Sequence, residues 1–484
     1  MGIQGERIAK IGNISADQGR EVIDAKGLFV VPGFIDVHTH VDRLIDSLGQ
    51  VKNYLLQGVT TTVGGNCGGS RFPLDELFKK LEKKGVAVNF ASLTGHNTIR
   101  RKVMGGGDSQ ATDEELSEMK KLVDQEMRAG AIGISTGLAY VPGRYSTTEE
   151  IIELTKSVAP YNGVYATHLR NQGREIDNAI EEAIRIGKEA GVRVELSHIK
   201  LSNDAVWGKY EMITGPVEKA LAEGLEIYMD QYPYTATSSG FSSSFPGWVV
   251  AGGHDDFLKR MNDPVLFAKA KQGLIERRFY SEKGINKINK IYVSNNRNHR
   301  EYEGKNLGEI LDLLGKKRTV SNAADLIIEM QKTDRPRGIF FQMADEDVAE
   351  IMKVPYSMIA SDGKIEIPGV EVPHPRAYGT FPRVLAKYVR DEGVLTLSDA
   401  VRKMTSLPAQ AMGFYDRGVL KEGCYADVVV FDLDNIKDTA TFQNPHQYPE
   451  GINYIIVNGK VAVESNVIIN DESGKVIYGK GKLK

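Results

Sequence analysis

Two histidines one residue apart, His38 and His40, follow a short apolar segment, Phe34 to Val37. On an extended strand, side chains at i and i+2 leave the same face. Both imidazoles therefore project together from one strand end, the geometry a metal ion takes from a histidine pair. Cys67, His168, His198 and Asp362 stand at comparable places, each closing or just following a short apolar run. Imidazole, thiolate and carboxylate in one set suit zinc. Alone, a strand-end histidine is an ordinary hydrogen-bonded residue and a cysteine an ordinary small apolar one. Their joint placement is what points to a metal centre. His96 falls beside the set as a supporting residue, while His254, His299 and His446 read as surface.

The elements that must position these side chains follow a rhythm of short strand, loop and amphipathic helix. Strands are predicted at Phe34 to Val37, Gly58 to Val63, Val86 to Leu93, Ala131 to Ser135, Gly163 to His168, Val192 to His198, Leu225 to Asp230 and Tyr356 to Asp362. Capping boxes at Thr112 to Glu115 and Thr147 to Glu150 open helices between them. Ile176, Ala179, Ile180, Ala183, Ile184 and Gly187 recur at helical spacing, and Gly191 closes that helix. Strand-helix units in this number predict a (β/α)8 TIM-like barrel over residues 28–413, whose functional residues sit at the C-terminal strand ends. Residues from about 240 to 345 break the rhythm with Gly- and Ser-rich loops and read as an insertion, a lid on one loop. Residues 1–27 and 414–484 are strand- and turn-rich, Glu21 to Gly27 included, and are expected to pair into a small β-domain.

A chain of 484 residues has room for a barrel and a smaller domain. Apolar content of 41% and charged content of 26% are those of a soluble globular protein. A net charge of -3 gives no general affinity for nucleic acid or an anionic membrane. The lysine runs Lys79 to Lys84, Lys287 to Lys290 and Lys480 to Lys484 read as solvated surface, the last as a frayed tail. Two cysteines exclude a disulfide-stapled domain. No apolar run approaches the ~18 residues of a membrane span, and no signal-peptide core opens the chain, so a cytoplasmic protein is expected. The glycine-rich stretches Gly64 to Gly69 and Gly105 to Gly107 lack the phosphate-loop lysine and the dinucleotide spacing.

The run Pro32-Gly33-Phe34-Ile35-Asp36-Val37-His38-Thr39-His40 resembles the strand-one signature of the amidohydrolase superfamily. With Gly65-Asn66-Cys67-Gly68, Gly133-Ile134-Ser135-Thr136, Ser197-His198-Ile199-Lys200, Tyr232-Pro233-Tyr234, Ser361-Asp362-Gly363 and His374-Pro375-Arg376, the chain resembles the D-aminoacylase branch, the N-acyl-D-amino-acid deacylases. The cysteine after strand two marks that branch, because hydantoinase-like relatives use a carboxylated lysine after strand four. The resemblance implies hydrolysis of N-acyl-D-amino acids to a D-amino acid and a carboxylate. It implies one tight Zn2+ at Cys67, His168 and His198. A weaker second position would lie at His38, His40 and Asp362, with Cys67 bridging. Asp362 would serve as general base and then general acid. Arg376 would hold the substrate α-carboxylate, with Tyr140 and Lys200 at other substrate-side positions. The alternatives are a D-dipeptidase, an N-acyl-D-glutamate or D-aspartate deacylase, and a non-catalytic hydantoinase-like scaffold. Members of the family begin with a further strand pair before the segment matching Ile3 to Gly12, so an incomplete small β-domain is expected. Side-chain preference, acyl group and oligomeric state are not specified by the sequence.

Overall fold

The computed structural model describes residues 1–482. Parallel strands carry its centre: β1 (Phe34–Asp36), β2 (Val59–Gly64), β3 (Asn89–Ser92), β4 (Gly133–Gly137), β5 (Val164–His168), β6 (Arg193–Leu196), β7 (Ile227–Gln231) and β8 (Ser357–Ile359). They are buried along almost their whole length, as parallel strands covered by helices must be. The strands β1 to β3 form one sheet and β4 to β8 another, both in chain order. A short strand, Thr94–Gly95, continues β3 past Leu93 and pairs with β4. On the opposite side Thr39 bridges Gly363, the Asp362 N–H donates to the His38 carbonyl at 2.9 Å, and the His40 N–H donates to Gly363 at 2.7 Å. The ends of β1 and β8 thus lie side by side.

The helices pack on these strands through one face. Ile176–Ala190 buries Ile176, Ala179, Ile180, Ala183, Ile184 and Gly187. A Cβ at Gly187 would lie 2.2 Å from Val194 Cγ2, so glycine lets this helix approach β6 closely. Asp113–Ala129 opens on a complete capping box between Thr112 and Glu115. The box expected at Thr147 is only half formed. Thr147 caps the Glu150 N–H, but the Glu150 carboxylate turns away to His96 at 2.9 Å and Arg100 at 3.0 Å. A buried guanidinium and imidazole outbid the cap for that carboxylate.

The interruption is a lobe with its own core. It begins at strand Ala236–Gly240 and returns through Arg337–Phe341, which pairs with it and with Ile291–Asn295 in an antiparallel sheet. Phe241, Phe245, Phe257, Leu274, Ile310 and Ile327 fill an apolar cluster separate from that of the parallel strands.

The tail strands Val428–Phe431, Ile452–Val457, Lys460–Glu464 and Val467–Ile468 form an antiparallel sheet that takes Phe29–Pro32 as its edge. The hairpin Gly2–Gln4 and Arg7–Lys10 joins it through the Ile8 N–H bond to Cys424 O. Glu21 to Gly27, expected as a strand, is irregular; no neighbouring strand takes up its backbone groups. The final segment runs back along the parallel strands, where the Phe90 N–H donates to Lys475 O at 2.8 Å. Of the expected solvated tail, Lys480 is exposed, and residues 483 and 484 lie outside the described residues. No helix among the described residues is long and apolar enough to cross a membrane.

Candidate metal centre

The donors converge beyond the C-terminal ends of the parallel strands. Cys67 Sγ lies 3.3 Å from His38 Nε2, 3.4 Å from His198 Nε2 and 3.6 Å from His168 Nδ1. An ion with tetrahedral bonds of about 2.0–2.3 Å holds its donors about 3.5 Å apart. The separations fit one such ion at Cys67, His168 and His198. His38, His40 and Cys67 make a second trio around the same sulfur. His40 Nε2 is 3.2 Å, and His38 Nε2 3.8 Å, from Asp362 Oδ1. The structure therefore brings all six expected donors to one place.

Backbone strain marks the same residues. Cys67, His198 and Asp362 have φ of 54°, 38° and 49°, in the left-handed region that side chains enter at a cost of about 1–2 kcal/mol. Such strain persists only where neighbours enforce it. Asn66 supplies that constraint for Cys67, because its buried amide donates to Val37 O, Thr39 O and Val63 O and ties the loop after β2 to the end of β1. Gly68 follows with φ 73° against Asn97, where a Cβ would meet Asn97 Oδ1 at 2.1 Å.

A second layer fixes the rings. Asp230 accepts from His38 Nδ1 at 3.2 Å and from the His198 N–H at 2.9 Å. This leaves His38 Nε2 facing the centre, the orientation a carboxylate imposes on a metal-binding histidine. Despite its burial, His38 is raised well above the ordinary imidazole value by Asp230 and Cys67. Burial, reinforced by the Lys200 charge, lowers His168 and His198, which favours the neutral rings a metal requires. Burial brings Lys200 itself down to about 7. Lys200 Nζ and Gln172 Nε2 each lie 3.1 Å from His198 Nδ1, and Lys200 Nζ donates to Gln172 Oε1 at 2.8 Å, so the two together fix the far side of that ring. Burial raises Asp36 to about 7; it accepts from the His38 and Ser361 N–H groups and so joins the roots of β1 and β8.

Burial would push Asp362 up, but Arg376, His40, His198 and His38 together hold it well below the carboxylate range. Arg376 Nη1 lies 2.9 Å from Asp362 Oδ2 without a well-aligned hydrogen bond, and its guanidinium stacks 4.6 Å over the Tyr232 ring. The Tyr232 hydroxyl is buried with no partner. Tyr140 packs its ring 4.5 Å from that of His168. Two cavities meet here: one of about 350 Å³ reaches Cys67, Asp362 and Arg376, and the other, of about 680 Å³, reaches His168, His198, Lys200 and Tyr232. Tyr140 and the lobe's Ser238, Ser239 and Ser243 line both.

His96 stands apart from the donors, bound to Glu150, and His446 is part-buried against Tyr378. Gly133-Ile134-Ser135-Thr136-Gly137 has the spacing of a serine-nucleophile turn, but Ser135 lies within β4, buried, donating to Gly65 O and accepting from the Gly68 N–H. It staples the Cys67 loop rather than presenting a nucleophile. Sequence reasoning missed Asp230, Asp36, Gln172 and Tyr232. An acidic residue at the end of an otherwise apolar strand was the available signal for Asp230.

The model of the amidohydrolase family matches residues 21–159 and 318–463. The D-aminoacylase of Alcaligenes xylosoxydans xylosoxydans is 36% identical over 99% of this chain and 93% of its own length. The chain belongs to the D-aminoacylase branch of the amidohydrolase family. Among solved structures of the branch, a D-aminoacylase crystal structure superposes with a TM-score of 0.83 at 34% identity, covering 98% of this chain and 94% of that one. The N-acyl-D-glutamate deacylase of Bordetella bronchiseptica, solved with zinc and a phosphonate mimic of the tetrahedral intermediate, gives 0.83 at 30% identity, covering 99% and 95%. As a branch member, the chain is a hydrolase whose donor set suits zinc.

Proposed function

We propose that this chain hydrolyses N-acyl-D-amino acids to a D-amino acid and a carboxylate, at a zinc site on a (β/α)8 barrel. The two parallel sheets, joined through Thr94–Gly95 and the Thr39–Gly363 bridge, are read as that barrel, with the antiparallel tail sheet as its small β-domain. The observation that carries the proposal is Cys67 Sγ within 3.6 Å of His38, His168 and His198 nitrogens, beside the Asp362–Arg376 pair. Cys67, His168 and His198 would hold the tight zinc, and His38, His40 and Asp362 a weaker one. Bound zinc supplies a water whose pKa falls to about 7 and polarises the amide carbonyl.

The chain's residues do the rest. Asp362, kept ionised by its cationic neighbours, accepts the water's proton and passes it to the leaving nitrogen. Arg376 offers a planar fork to the substrate α-carboxylate, backed by the Tyr232 ring. The unpartnered Tyr232 hydroxyl and the Lys200 amine are donors on the other side, with Tyr140 between the two cavities. A carboxylate fixed at Arg376, a carbonyl fixed at the donors and a side chain confined to a cavity make three points of attachment, enough to select one configuration at the α-carbon. Two free cysteines, Cys67 among them, support a cytoplasmic reading, because a reducing compartment keeps thiols unpaired.

The test is product analysis with N-acetyl-D-methionine and zinc-reconstituted protein. One D-methionine and one acetate per amide cleaved are expected, and none after chelation. Intact substrate in the presence of bound zinc contradicts the reading.

A further inference from the structure

The cavity beside Asp362 holds more positive charge than one α-carboxylate requires. Arg376, Arg43, Arg337 and Arg101, the last donating to Val141 O, all line its volume of about 350 Å³. Arg376 is matched by Asp362 at 2.9 Å. Among the described residues, neither Arg43 nor Arg337 forms an ion pair. Lys364, on the same wall, is by contrast matched by Glu371 at 2.8 Å and Glu366 at 3.5 Å. Glu366 is, besides Asp362, a carboxyl lining the cavity; burial raises it to about 7. His374 is held as a neutral tautomer, accepting from the Arg376 N–H on Nδ1 at 3.0 Å and donating from Nε2 to Ala236 O at 2.9 Å. Arg337 is part-buried at the root of the lobe strand Arg337–Phe341, and burial, then Arg43 and Arg376, lower its pKa. Arg337, part-buried beside Arg43 and Arg376 with only the Lys364-bound Glu371 as an opposing charge in reach, lacks the paired counter-charge that a partly desolvated cation needs.

We propose that this cavity takes a second carboxylate of the substrate, with Arg337 as the residue that selects it and the exposed Arg43 in support. The inference rests on the deacylase reading. It sets a preference, among N-acyl-D-amino acids, for those carrying an acidic group besides the α-carboxylate, with neutral substrates such as N-acetyl-D-methionine still cleaved at a lower rate. That group comes from the D-amino-acid side chain or from a dicarboxylic acyl group; both present the same anion to the arginines.

The test compares kcat/KM of zinc-loaded native protein for N-acetyl-D-glutamate, N-succinyl-D-glutamine and the neutral reference N-acetyl-D-glutamine. One acidic substrate is expected to exceed the reference by at least about tenfold, and its identity tells which end of the substrate enters the cavity. Arg337→Met should reduce that ratio by about tenfold or more, and Arg337→Lys should keep part of it. Zinc content and circular dichroism show that each variant is folded. A native ratio near one, or an Arg337→Met protein that keeps the native ratio, overturns the inference while leaving the deacylase reading intact. If none of the D substrates is cleaved, the deacylase reading fails. Calorimetry of D-glutamate against D-glutamine on the zinc-loaded protein then decides: preference for D-glutamate that Arg337→Met abolishes supports the anion site, and equal binding overturns it.

Discussion

The strand ends and the inserted lobe face each other across the same cavities, yet they are built on different terms. On the floor, donors stand at or just past the ends of parallel strands, three of them in strained backbone, with Asn66 and Asp230 among the buried partners that fix them. The lobe folds around its own apolar cluster and contributes Ser238, Ser239, Ser243 and Arg337 to the ceiling. The donors are held by the strand-end layer, while the lobe leaves and re-enters through one antiparallel strand pair and adds side chains to the cavity wall.

Breaking the floor should have the largest effect. Cys67→Ala removes the sulfur both donor trios share, so bound zinc and turnover are expected to vanish together. Unchanged zinc stoichiometry by elemental analysis would contradict the shared-sulfur assignment. Asp362→Asn keeps Cys67, His168 and His198, so zinc should remain while kcat falls by about 10²- to 10⁴-fold, the range of general acid–base catalysis. Near-native kcat in that variant would remove the proton-transfer role.

Breaking the ceiling should separate binding from metal. Phe257 is almost fully buried in the lobe core, with its ring 5.4 Å from that of Phe245. Phe257→Ala costs the lobe roughly 3–5 kcal/mol of packing. KM is expected to rise while zinc content stays at the native value; loss of zinc would show the two layers to be one cooperative unit.

The smallest effect sharpens the contrast from outside the site. Glu126, on the scaffold helix Asp113–Ala129, is fully buried, and burial raises it from 4.5 to about 7 although it accepts from the Leu74 N–H. The folded chain thus holds this proton where the unfolded chain has lost it. Stability from this group is greatest below pH 4.5 and declines as pH rises to about 7. Glu126→Gln lacks that decline, so its melting temperature relative to the native protein should climb by roughly 2 °C across this window. A pH-independent difference would contradict the buried-acid account.

Much of the floor was legible in the sequence because it obeys local periodicities. His38 and His40 show the period of a strand, and His168 ends, and His198 closely follows, strands flanking one helix whose apolar positions repeat at helical spacing. What could not be read there depends on contacts between distant segments. Asp230 meets His38 across 192 residues, and Arg43 and Arg337 share a cavity through a loop and a lobe strand. Glu150 shows the same limit on a smaller scale: its sequence neighbours predict a cap, and a buried Arg100 and His96 take it instead. Strand ends shortened for a related reason. β8 stops at Ile359 because Asp362 must bend into the left-handed region to reach Arg376 and His40.

The central claim is that the donor floor and the Arg376 side of the cavity together select a D-configured N-acyl amino acid. The most direct measurement is kcat/KM of the zinc-reconstituted protein for N-acetyl-D-glutamate and N-acetyl-L-glutamate in the same preparation. Hydrolysis of the D enantiomer with no measurable turnover of the L enantiomer is the predicted result, and equal rates or a preference for the L enantiomer would contradict the account.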